Sequence, residues 1–221
     1  MERITRSRSG WTFAAVCFLL VAFSGCNSGS GMKGSDAQTG ESSADTGHID
    51  ALCIGDLINK PTEAFHYFYK YTDASGAVDD EADVTPQELN ITKKDKFGTQ
   101  SFHAVRSNKD SWDHGLLFLA HLNFTGMSAR LDSLNGTSAI GSQGPETVNG
   151  YSVMRYSIDT TRANSSDRGT FEMLWGKGSF DKGTIWMGTD GCMVKLALDE
   201  GLHQTDGGIA KSHYEIARVK K

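Results

Sequence analysis

The sequence predicts an α+β fold, mainly antiparallel β, in which a strongly curved sheet (a half-barrel) carries one or two helices on its concave face. Three observations lead there. Short apolar segments are punctuated by 25 glycines and 3 prolines among 221 residues, a rhythm of strands and turns rather than of long helices. Several of those segments alternate apolar and polar residues with period 2. One segment instead repeats at helical spacing and needs a surface on which to bury its stripe. A sheet curved around a helix satisfies both.

The elements follow in chain order. Residues 64–71, AFHYFYKY, place Phe65, Tyr67, Tyr69 and Tyr71 on one face and His66, Phe68 and Lys70 on the other. A helix would scatter the four aromatics around its circumference, so the period-2 reading wins. Residues 78–84 and 87–92 carry weaker strand patterns, and 98–107, GTQSFHAVRS, a further strand. In residues 107–124, SNKDSWDHGLLFLAHLNF, Trp112, Leu116, Leu119 and Ala120 recur at helical spacing, and Leu117 and Phe124 widen the stripe. Ser107 or Asn108 can cap this helix, and Asp110 suits its first turn. Gly115 weakens it by about 1 kcal/mol relative to Ala. Residues 151–159, YSVMRYSID, form a strand with Met154, Tyr156 and Ile158 on one face and Arg155 on the other. A second short helix fits 166–175. GTIWMG (183–188) and CMVKLALD (192–199) make a hairpin about a Thr-Asp-Gly turn, with Cys192, Val194, Leu196 and Leu198 on one face. The last strand, 211–221, sets Tyr214 and Ile216 on one face.

The N-terminus reads as an address. MERITRSRSGWTFAAVCFLLVAFSGC has basic Arg3, Arg6 and Arg8, an apolar run over 11–23, then Ser24, Gly25 and Cys26. The run is shorter than the roughly 20 residues a membrane span needs and has the layout of an export signal. Its Ser-Gly-Cys ending resembles the lipobox of bacterial lipoproteins. That resemblance implies a signal peptide over 1–25 and a lipidated Cys26 at the head of the mature chain. Residues 26–47 form a flexible Gly/Ser-rich tether, and 48–221 one globular domain. In the sorting logic of such lipoproteins, Asn27 rather than Asp after the cysteine points to the periplasmic face of the outer membrane over the inner membrane. Removal of Arg3, Arg6, Arg8 and Glu2 with the leader leaves 19 basic residues against 26 acidic, a balance of −7. This argues against nucleic acid and against electrostatic binding to anionic headgroups. Attachment to a membrane is therefore expected through the acyl anchor.

PETVNGYSVMRYSID, the Trp-strand, Asp-Gly turn and Val-Lys strand (Trp186, Asp190, Gly191, Val194, Lys195) and the closing Tyr214 to Ile216 strand resemble the LolA/LolB and LppX-like superfamily of envelope lipid and lipoprotein carriers. The resemblance covers the folded part in layout and implies a half-barrel whose hollow takes acyl chains. The expected function is then a membrane-anchored, non-enzymatic lipoprotein that binds lipid or acylated cargo. Its candidate lining is Phe65, Tyr67, Tyr69, Tyr71, Trp112, Leu116, Met154, Tyr156 and Trp186. The alternative is a structural or sensory lipoprotein of the same fold, with these residues as ordinary core and function in protein contacts. The two separate on whether Trp112, Leu116 and Phe124 fill the concavity.

Other chemistry is weakly signalled. His114 and His121 share a helix face, but no His-Glu-x-x-His, Cys-x-x-Cys or carboxylate-rich loop joins the seven histidines, so no metal site is expected. There is no Gly-x-Ser-x-Gly elbow and no phosphate loop, and no catalytic residue or cofactor is assigned. Cys17 leaves with the leader, and a lipidated Cys26 has no thiol. Cys53 and Cys192 remain, in an oxidising compartment where disulfides persist. A pair of buried thiols or a reactive cysteine are alternatives. Neither site has the basic cluster that lowers a thiol's pKa, and a disulfide is the favoured reading.

Overall fold

The computed structural model describes residues 49, 53–120 and 124–221. The leader, Cys26, the tether, His48 and His121 lie outside the described residues, as do the side chains of Leu117, Leu119, Ala120 and Phe124.

Thirteen elements follow one another: α1 (Cys53–Asn59), β1 (Phe65–Asp73), β2 (Gly76–Val84), β3 (Glu88–Asp95), β4 (Gly98–Val105), α2 (Lys109–Ala120), α3 (Phe124–Ser133), β5 (Ile140–Val148), β6 (Tyr151–Asp159), α4 (Ser165–Trp175), β7 (Phe180–Gly188), β8 (Met193–His203) and β9 (Ile209–Lys220). The strands form one open antiparallel sheet in the order β4-β3-β2-β1-β9-β8-β7-β6-β5. The α+β reading holds, with four helices where one or two were expected.

Register decides which side chains share a face. Tyr67 lies opposite Ala82 and Arg218, and Tyr69 opposite Asp80 and Ile216. Ile216 continues the row to Leu196, Ile185 and Tyr156. Tyr67, Ala82, Tyr69, Ile216, Leu196, Ile185 and Tyr156, with Phe65, Val84, Leu89, Ile91 and Leu198, form one buried cluster with Ile58 of α1, Trp112 of α2, Met127 and Leu131 of α3, Leu134 just after it and Phe171 of α4. The helices therefore cover one face of the sheet.

The sheet curls at the end where β5 meets β6. The backbone N–H of Lys220 on β9 donates to Asn149 O at 3.0 Å, and the Asn149 amide donates to Arg218 O at 3.1 Å. Three strand positions separate β6 from β9, so the β5–β6 turn reaches β9 only because the sheet bends across β7 and β8 at this end. Asn149 has φ 55 and Gly150 φ 84, the conformation that an Asn-Gly hairpin turn requires.

Two local choices place the helices. The Asn108 side chain accepts from Ser111 N–H at 3.1 Å, so Asn108 caps α2. A Cβ at Gly115 would stand 3.1 Å from Ala104 Cβ and 3.2 Å from side-chain atoms of Leu89 and Phe102. The glycine that weakens α2 as a helix thus seats it on β3 and β4.

The disulfide forms. Cys53 at the start of α1 joins Cys192 beside β8, with Cα atoms 5.5 Å apart across 139 residues. The hairpin's face assignment changes in one respect. Trp186 pairs with Lys195 but Met187 with Met193, so Val194 is the extra residue of a β-bulge. Met193, rather than Val194, joins Leu196 and Leu198 in the helix-side cluster.

Candidate functional site

The predicted lining divides into three parts. Phe65, Tyr67, Tyr69, Trp112 and Tyr156 are brought together, but as core: none is more than 7% exposed. Tyr71, Leu116 and Met154 pack against that core and are partly buried. Trp186 is on the other face of the sheet. Its partner Lys195 stacks on its ring at 4.9 Å, Arg155 lies over the ring at 5.7 Å, and its Nε1–H donates to Glu146. The register that turns Ile185 and Met187 inward forces Trp186 outward, because successive side chains alternate. Within the described residues Trp112 fills the space beneath α2.

A buried polar ladder crosses the same face. Arg130 of α3 reaches Asp181 of β7 through Nε (3.2 Å) and Nη2 (2.5 Å) and Glu200 of β8 through Nε (3.0 Å). Its guanidinium lies 5.1 Å from the ring centres of both Phe171 and Trp175 on α4. Glu200 Oε2 also accepts from Tyr214 Oη at 3.0 Å and Ser212 Oγ at 2.9 Å. Burial pushes the Asp181 carboxyl up, Arg130 opposes this, and Glu200 adds to it. Farther along the sheet Asp80 is buried beside Tyr69, and burial raises its pKa to about 6, against the pull of Lys93. Burial, with help from Asp80, likewise raises Tyr67 and Tyr69. The ladder ties α3 and α4 to the sheet; its side chains are engaged with one another.

The open part of the helix-side face lies elsewhere. A recess of about 400 Å³ is lined by Pro145, Glu146, Thr147, Ser152, Val153, Met154, Met187, Gly188 and Thr189. Pro145 pairs with Met154, Met154 with Met187 and Thr147 with Ser152, which sets these five on the face that the helices cover farther along. Met187 is itself part of the buried cluster, so the recess continues the core to the surface. Its only titratable side chain is Glu146, and that accepts from Trp186. Methionines suit such a wall, because an unbranched thioether adapts to irregular apolar shapes. Of the predicted lining, only Met154 faces this recess. Met187 and Pro145 went unnoticed, although Met187 shares the alternation of Ile185.

A second recess of about 540 Å³ is polar, lined among others by Ser157, Asp159, Arg162, Lys182, Thr184 and Asp199. Among the described residues no three His, Cys, Asp or Glu side chains converge as metal ligands would. His114 is exposed, its Nδ1 against Asp110 O. None of the described helices is long and apolar enough to cross a membrane.

No family model matches the sequence, and no curated protein matches it. Solved structures do overlap with it. Lipoprotein LppX of Mycobacterium tuberculosis is 14% identical, with a TM-score of 0.39 over 80% of this chain and 94% of that one. LprF from Mycobacterium bovis is 11% identical, with a TM-score of 0.30 over 76% and 91%. MucB in complex with MucA(peri) is 10% identical, with a TM-score of 0.35 over 80% of this chain and 56% of MucB, whose chain is therefore much the longer.

Proposed function

We propose that this protein is an exported, lipid-anchored and non-enzymatic component of the bacterial envelope that holds an apolar chain, from lipid or acylated cargo, in the recess between β5, β6 and β7. The observation that carries the reading is the recess itself. It is apolar and open, it continues the buried cluster through Met187, and its volume suits the tail of one acyl chain. The signal peptide, the acylated Cys26 and the tether supply the address, and Asn27 favours the outer membrane. In this reading the aromatic stripe of β1 is the floor that holds the fold, and the ligand lies beside it rather than under α2. Native mass spectrometry of protein extracted gently from membranes tests this. A lipid-mass adduct that survives transfer and is lost on organic extraction is expected. Protein that carries no adduct after gentle extraction contradicts it.

The filled space beneath α2 favours a second reading. Trp112 is 4% exposed and Tyr67 fully buried, as expected of a structural or sensory module acting through protein contacts. It is preferred if the extracted protein is lipid-free but co-purifies with a stoichiometric protein partner.

A further inference from the structure

The described large apolar side chains that stand out in solvent are Phe97 (83% exposed), Met173 (78%) and Leu174 (55%). Exposed apolar residues scattered singly need no explanation, but these share one end of the sheet. Phe97 is in the β3–β4 turn, and α4 joins the end of β6 to the start of β7. Asp159 at the end of β6 pairs with Lys182, and Asp181 with Glu200, Glu200 with Ser212 and Ser212 with Asp73 beside the β1–β2 turn. That row marks the same end across the sheet.

Met173 and Leu174 are adjacent on a helix that is held firmly. Asn164 caps it by accepting from Asp167 N–H at 2.9 Å, and Asp167 accepts from both the backbone N–H and the Oγ of Ser138 at 2.7 Å. Ser179 Oγ donates to Trp175 O at 2.6 Å and accepts from His203 N–H at 2.9 Å. Phe171 and Trp175 are committed to Arg130. The inner side of α4 is thus fixed, and Met173 and Leu174 face out on a rigid support with exposed Lys177 just beyond.

The chain enters the domain at this place. Ile49 is fully buried, its N–H donates to Asn135 Oδ1 at 2.8 Å, and the Asn135 amide returns a bond to Ile49 O at 3.0 Å. The residue before Asn135, Leu134, lines a small cavity of about 70 Å³ together with Phe171 and Leu174 of α4. A Gly/Ser-rich tether of the length between Cys26 and Ile49 has a mean reach of about 25 Å. A leaflet holding Cys26 therefore lies within reach of α4.

We infer that α4 is a membrane-contact helix, with Met173 and Leu174 seated at the headgroup–acyl boundary of the phospholipid leaflet that holds the anchor and Lys177 among the headgroups. This rests on the reading that Cys26 is lipidated. The anchor attaches the protein, and α4 orients it, turning the loop end of the sheet to the bilayer. Residues of this kind on a fixed helix bind an interface through buried apolar area.

The test uses the full mature chain on vesicles of phosphatidylethanolamine and phosphatidylglycerol with brominated acyl chains, which quench tryptophan. Met173→Trp adds a reporter on α4. Gln87→Trp adds one in the β2–β3 turn, exposed at the other end of the sheet and outside the recess, and the native chain supplies the background. Emission added at Met173 is expected to fall by roughly half in brominated vesicles, as for a group held at that depth, while emission added at Gln87 is unchanged. Equal emission at both sites overturns the inference, and is also the result if α4 docks a protein instead. In the unlipidated full chain, Cys26→Ser, replacing both Met173 and Leu174 by Ser is expected to weaken vesicle co-sedimentation on the order of tenfold. Unchanged co-sedimentation overturns it. The intact mass of the native chain reports acylation separately, so a missing acyl group refutes the anchor and leaves co-sedimentation to judge α4.

Discussion

Asp80 shows how far burial governs single residues in this protein. It is 3% exposed on the helix-side face, and its Oδ1 has no hydrogen-bond partner among the described residues. With a folded pKa of about 6 against an ordinary 3.8, it holds its proton more tightly in the folded than in the unfolded chain. Its charge therefore costs stability increasingly as pH rises from about 4 to 6, and fully above that. Asp80→Asn is expected to stabilise the protein by about 3 kcal/mol at pH 7 and to leave it nearly unchanged at pH 4. Denaturant unfolding at the two pH values measures this, and equal gains at both would show that charge is not the cause. None of it was legible beforehand. VDDEADV (78–84) carries only a weak strand pattern, and the partner strand, with Tyr69 opposite Asp80, turns one of its aspartates inward.

Among the elements, legibility followed the strength of local periodicity. β1 announces itself with four alternating aromatics, and β6 begins and ends where its alternation does. β5, IGSQGPETV, has no such pattern because it is an edge strand with a proline and a bulge beside Gly144, yet the Asn149-Gly150 pair that ends it is among the strongest hairpin signals. α1 is only seven residues long, and α3, FTGMSARLDS, buries Met127, Arg130 and Leu131 on a stripe interrupted by a charge. That charge is satisfied by Asp181 and Glu200, far off in sequence. Trp186, a candidate for the lining, stands with Lys195 and Arg155 on the other face, which the sequence does not reveal because both faces of β7 carry apolar side chains. Gly115 gives an element-scale prediction with a sign opposite to helix propensity. Gly115→Ala gains about 1 kcal/mol of propensity but forces α2 off buried Leu89 and Ala104, at a cost of about 1–3 kcal/mol. A net loss of about 1 kcal/mol is expected by thermal unfolding, and a rise in Tm would contradict the close seating of α2 on β3 and β4.

For the whole molecule, the disulfide and the curl act at the same end. Cys192 lies in the turn whose Asp190 holds buried Arg218 at 2.7 and 2.8 Å, and Arg218 in turn lies 4.4 Å from the Tyr151 ring. One residue cluster thus joins β9, the β7–β8 turn, the start of β6 and, through Cys53, α1. Closing a loop of 139 residues is worth about 4–5 kcal/mol in chain entropy. Replacing both cysteines with serine is expected to lower stability by about that amount; a loss under about 1 kcal/mol would mean that the curl holds without the cross-link.

The proposed function places the apolar chain in the recess beside Met154 and Met187, so equilibrium uptake of a fluorescent fatty acid by the delipidated protein tests the account most directly. Saturable uptake at one molecule per chain is predicted, with Met154→Lys weakening it about tenfold, the effect of setting an unpaired charge in an apolar wall, while Tm stays within a few degrees of the native value. No uptake by the native protein, or uptake indifferent to Met154→Lys, would contradict it.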